Sequence, residues 1–183
     1  LFYMWGIPHP RTRIYYHLHH GDIMKDFSFP FVAKLPRASA QGRGVFKINN
    51  RDDLKGYLQR THVAYIQEYL PHERDLRVIL INYKPILAYW RVCPPGSFKT
   101  NIFQGGSFDF EGIPSEGIKM AQESSQKCKF NDVGLDFIQK NGKWYLLEAN
   151  MKYGRKGLQM KGMDIKEIMR EKLLSGELIA DRS

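Results

Sequence analysis

The pair Asn141-Gly142 separates two runs, Val133 to Ile138 and Trp144 to Asn150, that are apolar almost throughout yet carry Asp136, Glu148 and Asn150. Asn-Gly between such runs is the strongest short-range hairpin signal, because both residues accept the left-handed backbone of a tight turn. A charge inside an apolar strand costs several kcal/mol unless it is paired or bound to a metal. Oxygen donors of this kind suit Mg²⁺, or Mn²⁺, which combines one or two carboxylates with waters and phosphate oxygens. Acids simply facing water at strand ends are the plainer reading. Strand parity separates the two. A two-residue turn pairs Lys140 with Lys143, makes Leu147 the partner of Asp136 and throws Glu148 onto the opposite face. A three-residue loop, Lys140-Asn141-Gly142 with Gly142 left-handed, restores the parity, as does a bulge. A metal role for Asp136, Glu148 and Asn150 therefore predicts an odd loop or a bulge.

The remaining elements follow an order that excludes regular β-α-β alternation. Phe29 to Leu35 and Val45 to Ile48 read as strands joined by a glycine-containing loop. Asn50 stands as the cap of a helix running to about Arg60, with Asp52 and Asp53 suited to its positive end. Ala64 to Tyr69 returns as a strand. Leu76 to Ile81 and Pro85 to Val92 are longer strands about the turn Asn82-Tyr83-Lys84. Ser115 caps a helix to about Lys127, and a last helix runs from Asp164 to about Ser175. This mixture predicts an α+β chain of two lobes, residues 1–69 and 70–183. The stretch Leu1 to Asp26 is the least legible. Its histidines, His17, His19 and His20, lack the i, i+4 spacing of a helical zinc motif and read as surface residues.

Composition removes several classes. The 183 residues are 43% hydrophobic, enough for a real core, and no run approaches the roughly 20 apolar residues of a membrane helix. No leader-like segment precedes the core, so a cytoplasmic protein with no membrane partner is expected. Leu1 is not a native start unless the chain was processed. Cys93 and Cys128 have neither CxxC spacing nor partner histidines, which argues against a disulfide framework or zinc cage. The net charge of +9 is spread along the chain rather than massed, so nucleic acid ranks below a nucleotide or an acidic peptide.

Three other constellations carry chemistry. Lys34 followed by Gln41-Gly42-Arg43-Gly44 puts a cation at a strand end beside a flexible turn able to approach phosphate, though many hairpins carry glycines. Gln67-Glu68-Tyr69-Leu70 leaves its sheet as an extended connector with Asp75 beyond it. Such a connector can offer backbone groups to an adenine edge and a carboxylate to a ribose; an ordinary strand between lobes reads equally well. The segment Arg91 to Gly106 holds Lys99, Thr100 and Asn101 in a glycine-bounded loop suited to phosphate or carboxylate, or to a mobile surface. P-loop and Rossmann fingerprints are absent, as is any defensible Ser/His/Asp or Cys/His arrangement.

Taken in order, FPFVAKLPRASAQGRGV, YIQEYLPHERDLRV, GSFKTNIFQGG, VGLDFI and LLEANMKYG resemble the ATP-grasp superfamily, specifically its RimK-like branch, over roughly Pro30 to Ile165. The resemblance implies two α+β lobes with a nucleotide between them. It implies Lys34 on the phosphates with 41–45 folding over them, adenine at Gln67, Glu68, Tyr69 and Leu70, and ribose at Asp75. It further implies Lys99, Thr100 and Asn101 at phosphate or acyl intermediate, Arg91 as a charge stabiliser, and Asp136, Glu148 and Asn150 carrying Mg²⁺. The implied reaction joins a carboxylate to an amine: ATP phosphorylates the carboxylate and the amine displaces phosphate to form an amide, with addition of glutamate to a peptide or small amino-acid substrate as the case the resemblance points to. The alternative within the resemblance is a nonenzymatic nucleotide- or partner-binding module. Lys99 stands where the RimK pattern usually has arginine, and Met151-Lys152-Tyr153-Gly154 lacks its Ser-Pro. The family's N-terminal domain is expected to lie outside this sequence.

Overall fold

The computed structural model describes residues 1–36, 44–94 and 106–178. Those residues form two compact units. One contains Leu1–Pro8, Arg74–Val92 and the described residues from Ser107 onward; the other contains His9–Glu73 with Cys93, Pro94 and Gly106.

The His9–Glu73 unit is a four-stranded antiparallel sheet in the order β1-β4-β2-β3, from β1 (Thr12–Tyr16), β2 (Phe31–Lys34), β3 (Val45–Ile48) and β4 (Val63–Glu68). Alternation sends Phe31, Ala33, Ile48, Ala64 and Ile66 into a core closed by Ile23 of α1 (Ile23–Asp26) and by Leu54 and Tyr57 of α2 (Arg51–Leu58). The Asn50 side chain accepts from the Asp53 amide at 2.9 Å, which satisfies one orphan donor of α2. Asn50→Ala is expected to lower the unfolding free energy by about 1 kcal/mol in urea titration, without a change in m. Strand β1 escapes the sequence reading because, of its five residues, only Tyr15 is buried.

The other unit is a five-stranded antiparallel sheet in the order β7-β6-β5-β8-β9. Its strands are β5 (Arg74–Ile81), β6 (Lys84–Val92), β7 (Ser107–Asp109), β8 (Asp132–Lys140) and β9 (Lys143–Asn150). One face is apolar: Leu76, Val78, Leu80, Trp90, Val133, Leu135, Phe137, Trp144 and Leu146 pack with Ala121 of α3 (Ser115–Cys128). At Gly117 this helix lies so close that a Cβ would come within 2.5 Å of Leu76. The expected Ser115 cap is not formed. Pro114 occupies the N-cap position and Ser115 is the first helical residue, since proline's fixed φ suits the entry to the helix. Ile7 joins the same core, and the Pro8 carbonyl accepts from the Leu146 amide, so the N-terminal stretch belongs to this sheet by packing. On the opposite face, Ile79, Ile81 and Tyr89 pack against Leu158 of α4 (Lys156–Met160) and Ile165 of α5 (Ile165–Leu174). Asp164 caps α5 by accepting from the Lys166 amide. No helix among the described residues is long and apolar enough to cross a membrane.

Candidate active site

The β8–β9 hairpin turns through two residues, Asn141 at φ 52° and Gly142 at φ 74°, with Lys140 opposite Lys143. The three-residue loop is therefore not formed, because Asn-Gly satisfies the tight turn by itself. The register then shifts between Asp136 and Phe137: Phe137 pairs with Leu146, and Asp136 pairs with Glu148. Leu147 is the extra residue of a bulge, and Gly134 pairs with Asn150. The parity condition is met. Trp144 and Leu146 point into the core beneath α3, while Asp136, Glu148 and Asn150 occupy the other face.

The neighbouring strands supply the rest of that face. β5 sends Leu76, Val78 and Leu80 to the α3 side, so Asp75 and Arg77 face the other way, Arg77 opposite Asp136 and Asp75 opposite Arg91 of β6. Arg77 donates from Nε and Nη2 to the two Asp136 oxygens, each at 2.6 Å. Arg91 donates to the two Asp75 oxygens at 2.7 and 2.8 Å, and its Nη2 also lies 2.8 Å from Asp136 Oδ2. Asn150 Nδ2 donates to the same oxygen at 3.3 Å. The side chains of Asp136, Asp75 and Arg77 are 2%, 3% and 9% exposed, so all three carry charge out of contact with bulk water. Burial alone would raise the Asp136 carboxyl, but Arg77 and Arg91 outweigh it and hold the group below the usual carboxylate range. Burial likewise disfavours charge on the arginines, and Asp136, joined by Asp75 at Arg91, reverses this and keeps both cationic.

The donor set fits a hard divalent cation. Two carboxylates on partnered positions and an adjacent amide side chain are oxygen donors of the type Mg²⁺ takes. Glu148 is exposed and makes no ion pair among the described residues, so its oxygens are available. Asp136 Oδ2 already accepts from Arg77, Arg91 and Asn150, whereas Oδ1 accepts from Arg77 Nε and keeps a lone pair for a cation. No group of three His, Cys, Asp or Glu side chains that could hold a metal ion occurs among the described residues, so the donor set here is limited to two carboxylates and an amide.

On the four-stranded sheet, Lys34 and Gln67 share the face opposite the core. Lys34 Nζ lies 5.6 Å from the centre of the Tyr65 ring, and Gln67, buried, donates to Thr12 Oγ1 at 3.1 Å. The Lys34 carbonyl accepts from the Tyr57 hydroxyl at 2.8 Å, which ties the strand end to α2. Glu68 is exposed, Tyr69 stacks beneath Lys47 at 4.3 Å, Leu70 is buried, and Gly44 is buried at the start of β3. Gln41, Gly42, Arg43, Lys99, Thr100 and Asn101 lie outside the described residues.

Arg77 is the functional candidate that sequence reasoning missed. The signal was present: a second charge two residues after Asp75 on an apolar strand belongs to the same face. Only the β5–β8 register revealed that it meets Asp136.

Two antiparallel sheets with flanking helices are the architecture of ATP-grasp proteins, and solved structures of that class share the fold. A RimK-domain ATP-grasp protein from Sphaerobacter thermophilus superposes with TM-score 0.68 at 13% identity, over 94% of this chain and 63% of that one. D-alanine–D-alanine ligase from Bacillus anthracis, complexed with ATP, does so with TM-score 0.70 at 15% identity, over 98% and 64%. The chain belongs to the RimK-like ATP-grasp domain family, which matches residues 4–173. Among curated proteins it is 28% identical over 179 residues to the coenzyme gamma-F420-2:alpha-L-glutamate ligase of Methanococcus maripaludis, covering 92% of this chain and 62% of that protein. The chain thus spans less than two thirds of the length of these proteins.

Proposed function

We propose that this chain is the nucleotide-binding core of an ATP-dependent carboxylate–amine ligase that forms an amide through an acylphosphate. The observation that carries the reading is the bulge at Leu147, which sets Asp136, Glu148 and Asn150 on one face beside two buried guanidiniums. Bound there by Asp136, Glu148 and Asn150, Mg²⁺ or Mn²⁺ would supply neutralisation of phosphate oxygens. Arg91, anchored by Asp75, presents a fixed cation to charge that develops on transferring oxygens, and Arg77 holds the Asp136 carboxylate ionised. Asp75 is the proposed contact to a ribose hydroxyl. Lys34 is the proposed cation on phosphate, with 41–45 as the proposed loop over phosphate and Gln67 to Leu70 as the proposed adenine contact. Lys99, Thr100 and Asn101 complete the proposed contacts to phosphate or acyl intermediate. No side-chain nucleophile is needed: positioning and charge neutralisation do the work. Glutamate in the name of the Methanococcus relative favours an amino acid or peptide as one substrate.

Calorimetric titration of Mg²⁺–ATP into the chain tests the reading. Glu148→Gln, an exposed change that leaves the buried cluster intact, is expected to weaken metal-dependent binding by about 100-fold, or roughly 2.8 kcal/mol. Asp136→Asn/Glu148→Gln should abolish it. Binding of equal strength in the parent and in folded Glu148→Gln would sink the assignment.

A further inference from the structure

Beyond Asn150 the chain leaves the sheet through Met151 and Lys152, within the stretch that departs from the RimK pattern, and returns at Tyr153. The return is tight. A Cβ built on Gly134 would lie 2.7 Å from the Tyr153 Cβ and 3.1 Å from its Cγ, so only glycine leaves room for this approach. Gly134 is the residue paired with Asn150. Because Val133, Leu135 and Phe137 enter the core beneath α3, alternation puts Asp132, Gly134 and Asp136 together on the opposite face of β8. The Tyr153 hydroxyl donates to Asp132 Oδ1 at 2.7 Å, and its ring packs against the cluster of Ile79, Ile81, Tyr89, Leu158 and Ile165. Tyr153 thus covers the two β8 positions that precede Asp136 on the face of the proposed cation site. Burial, reinforced by Asp132, raises the pKa of the hydroxyl and keeps it a donor at neutral pH.

Asn150 needs such a support. It is the last residue of β9, an edge strand, and its side chain reaches Asp136 Oδ2 through a long hydrogen bond of 3.3 Å. Strand ends of this kind fray unless the segment that follows is tied down. We infer that Tyr153 is a positioning residue for the cation: by closing Met151 and Lys152 back onto Gly134 and Asp132, it holds the Asn150 amide beside Asp136. This role rests on the reading of Asp136, Glu148 and Asn150 as ligands of Mg²⁺ or Mn²⁺. The Tyr153 hydroxyl is committed to Asp132, so the residue acts through Asn150. Groups that orient metal ligands in this way typically cost roughly 10- to 100-fold in metal affinity when they are removed.

Mn²⁺ titration of the chain in the presence of ATP, read by the electron paramagnetic resonance of the free ion, tests this beside urea unfolding. Tyr153→Ala is expected to weaken Mn²⁺ binding by about 10-fold, and Tyr153→Phe, which keeps the ring on Gly134, to recover much of that loss. Gly134→Ala pushes Tyr153 away while leaving its side chain intact. It should reproduce the loss, and it carries the test if Tyr153→Ala does not fold. In an Asn150→Ala background, Tyr153→Ala should weaken binding no further, a non-additivity that a general loss of stability does not produce. Full additivity of those two changes, or parent-like affinity in folded Tyr153→Ala or Gly134→Ala, overturns the inference while Glu148→Gln remains impaired. Parent-like binding by Glu148→Gln overturns the cation reading and the role of Tyr153 with it.

Discussion

Asp136→Asn is expected to lower the unfolding free energy by about 3–5 kcal/mol, because it leaves guanidinium charge without its buried counterion. Asp75 and Asp136 balance Arg77 and Arg91, and the cluster is neutral only when complete. Arg91 retains Asp75 in the variant; Arg77, which gives two donors to Asp136, is left beside the neutral Tyr89 hydroxyl with no carboxylate paired to it among the described residues. The double change Asp136→Leu/Arg77→Met should therefore recover much of the loss, since it removes one acid and one base together and leaves the Asp75–Arg91 pair. Urea titration of the three proteins reads this directly, and a double variant as unstable as the single one would show that the pairing is not the source of the effect. The pH dependence has a definite sign. The Asp136 carboxyl is depressed in the folded state, so its contribution is fully present above about pH 4 and is lost as pH falls through the lower folded-state value.

Phe137→Ala is expected to cost about 3–5 kcal/mol, the range for emptying a fully buried aromatic position. Phe137 is 0% exposed, pairs with Leu76 and Leu146, and lies at the register shift that turns Asp136 and Glu148 toward each other. Its burial anchors one face of β8 while Asp136 occupies the other. The two kinds of variant should separate: Glu148→Gln loses metal-dependent affinity and keeps its stability, whereas Phe137→Ala loses stability and, in the folded fraction, keeps its affinity. Chemical denaturation beside nucleotide titration makes the comparison. A stable Phe137→Ala would mean that the core beneath α3 closes without it.

Much of the site was legible because its residues violate the pattern of their own strands. Asp136 and Glu148 stand out in apolar runs, Asn141-Gly142 announces the turn, and Asn50 and Asp164 announce helix starts through hydrogen bonds that span three residues or fewer. Arg77 was passed over because its partner lies 59 residues away, and no local signal specifies which charge an arginine meets. Strand β1 was missed because an exposed edge strand buries too little to leave an apolar pattern.

Local chemistry in the sequence therefore determined which segments become strands and helices, where the hairpin turns, and that carboxylates must be accommodated within apolar strands. Tertiary structure decided what they meet. The two-residue turn demanded by Asn-Gly conflicts with burying Trp144 and Leu146 while aligning Glu148 with Asp136, and the bulge at Leu147 resolves the conflict. The assignment of Leu1–Pro8 to the five-stranded sheet and the meeting of Arg77 with Asp136 were settled in the same way. Each depends on burial and strand register between distant segments, whose energies exist only once the sheets have formed.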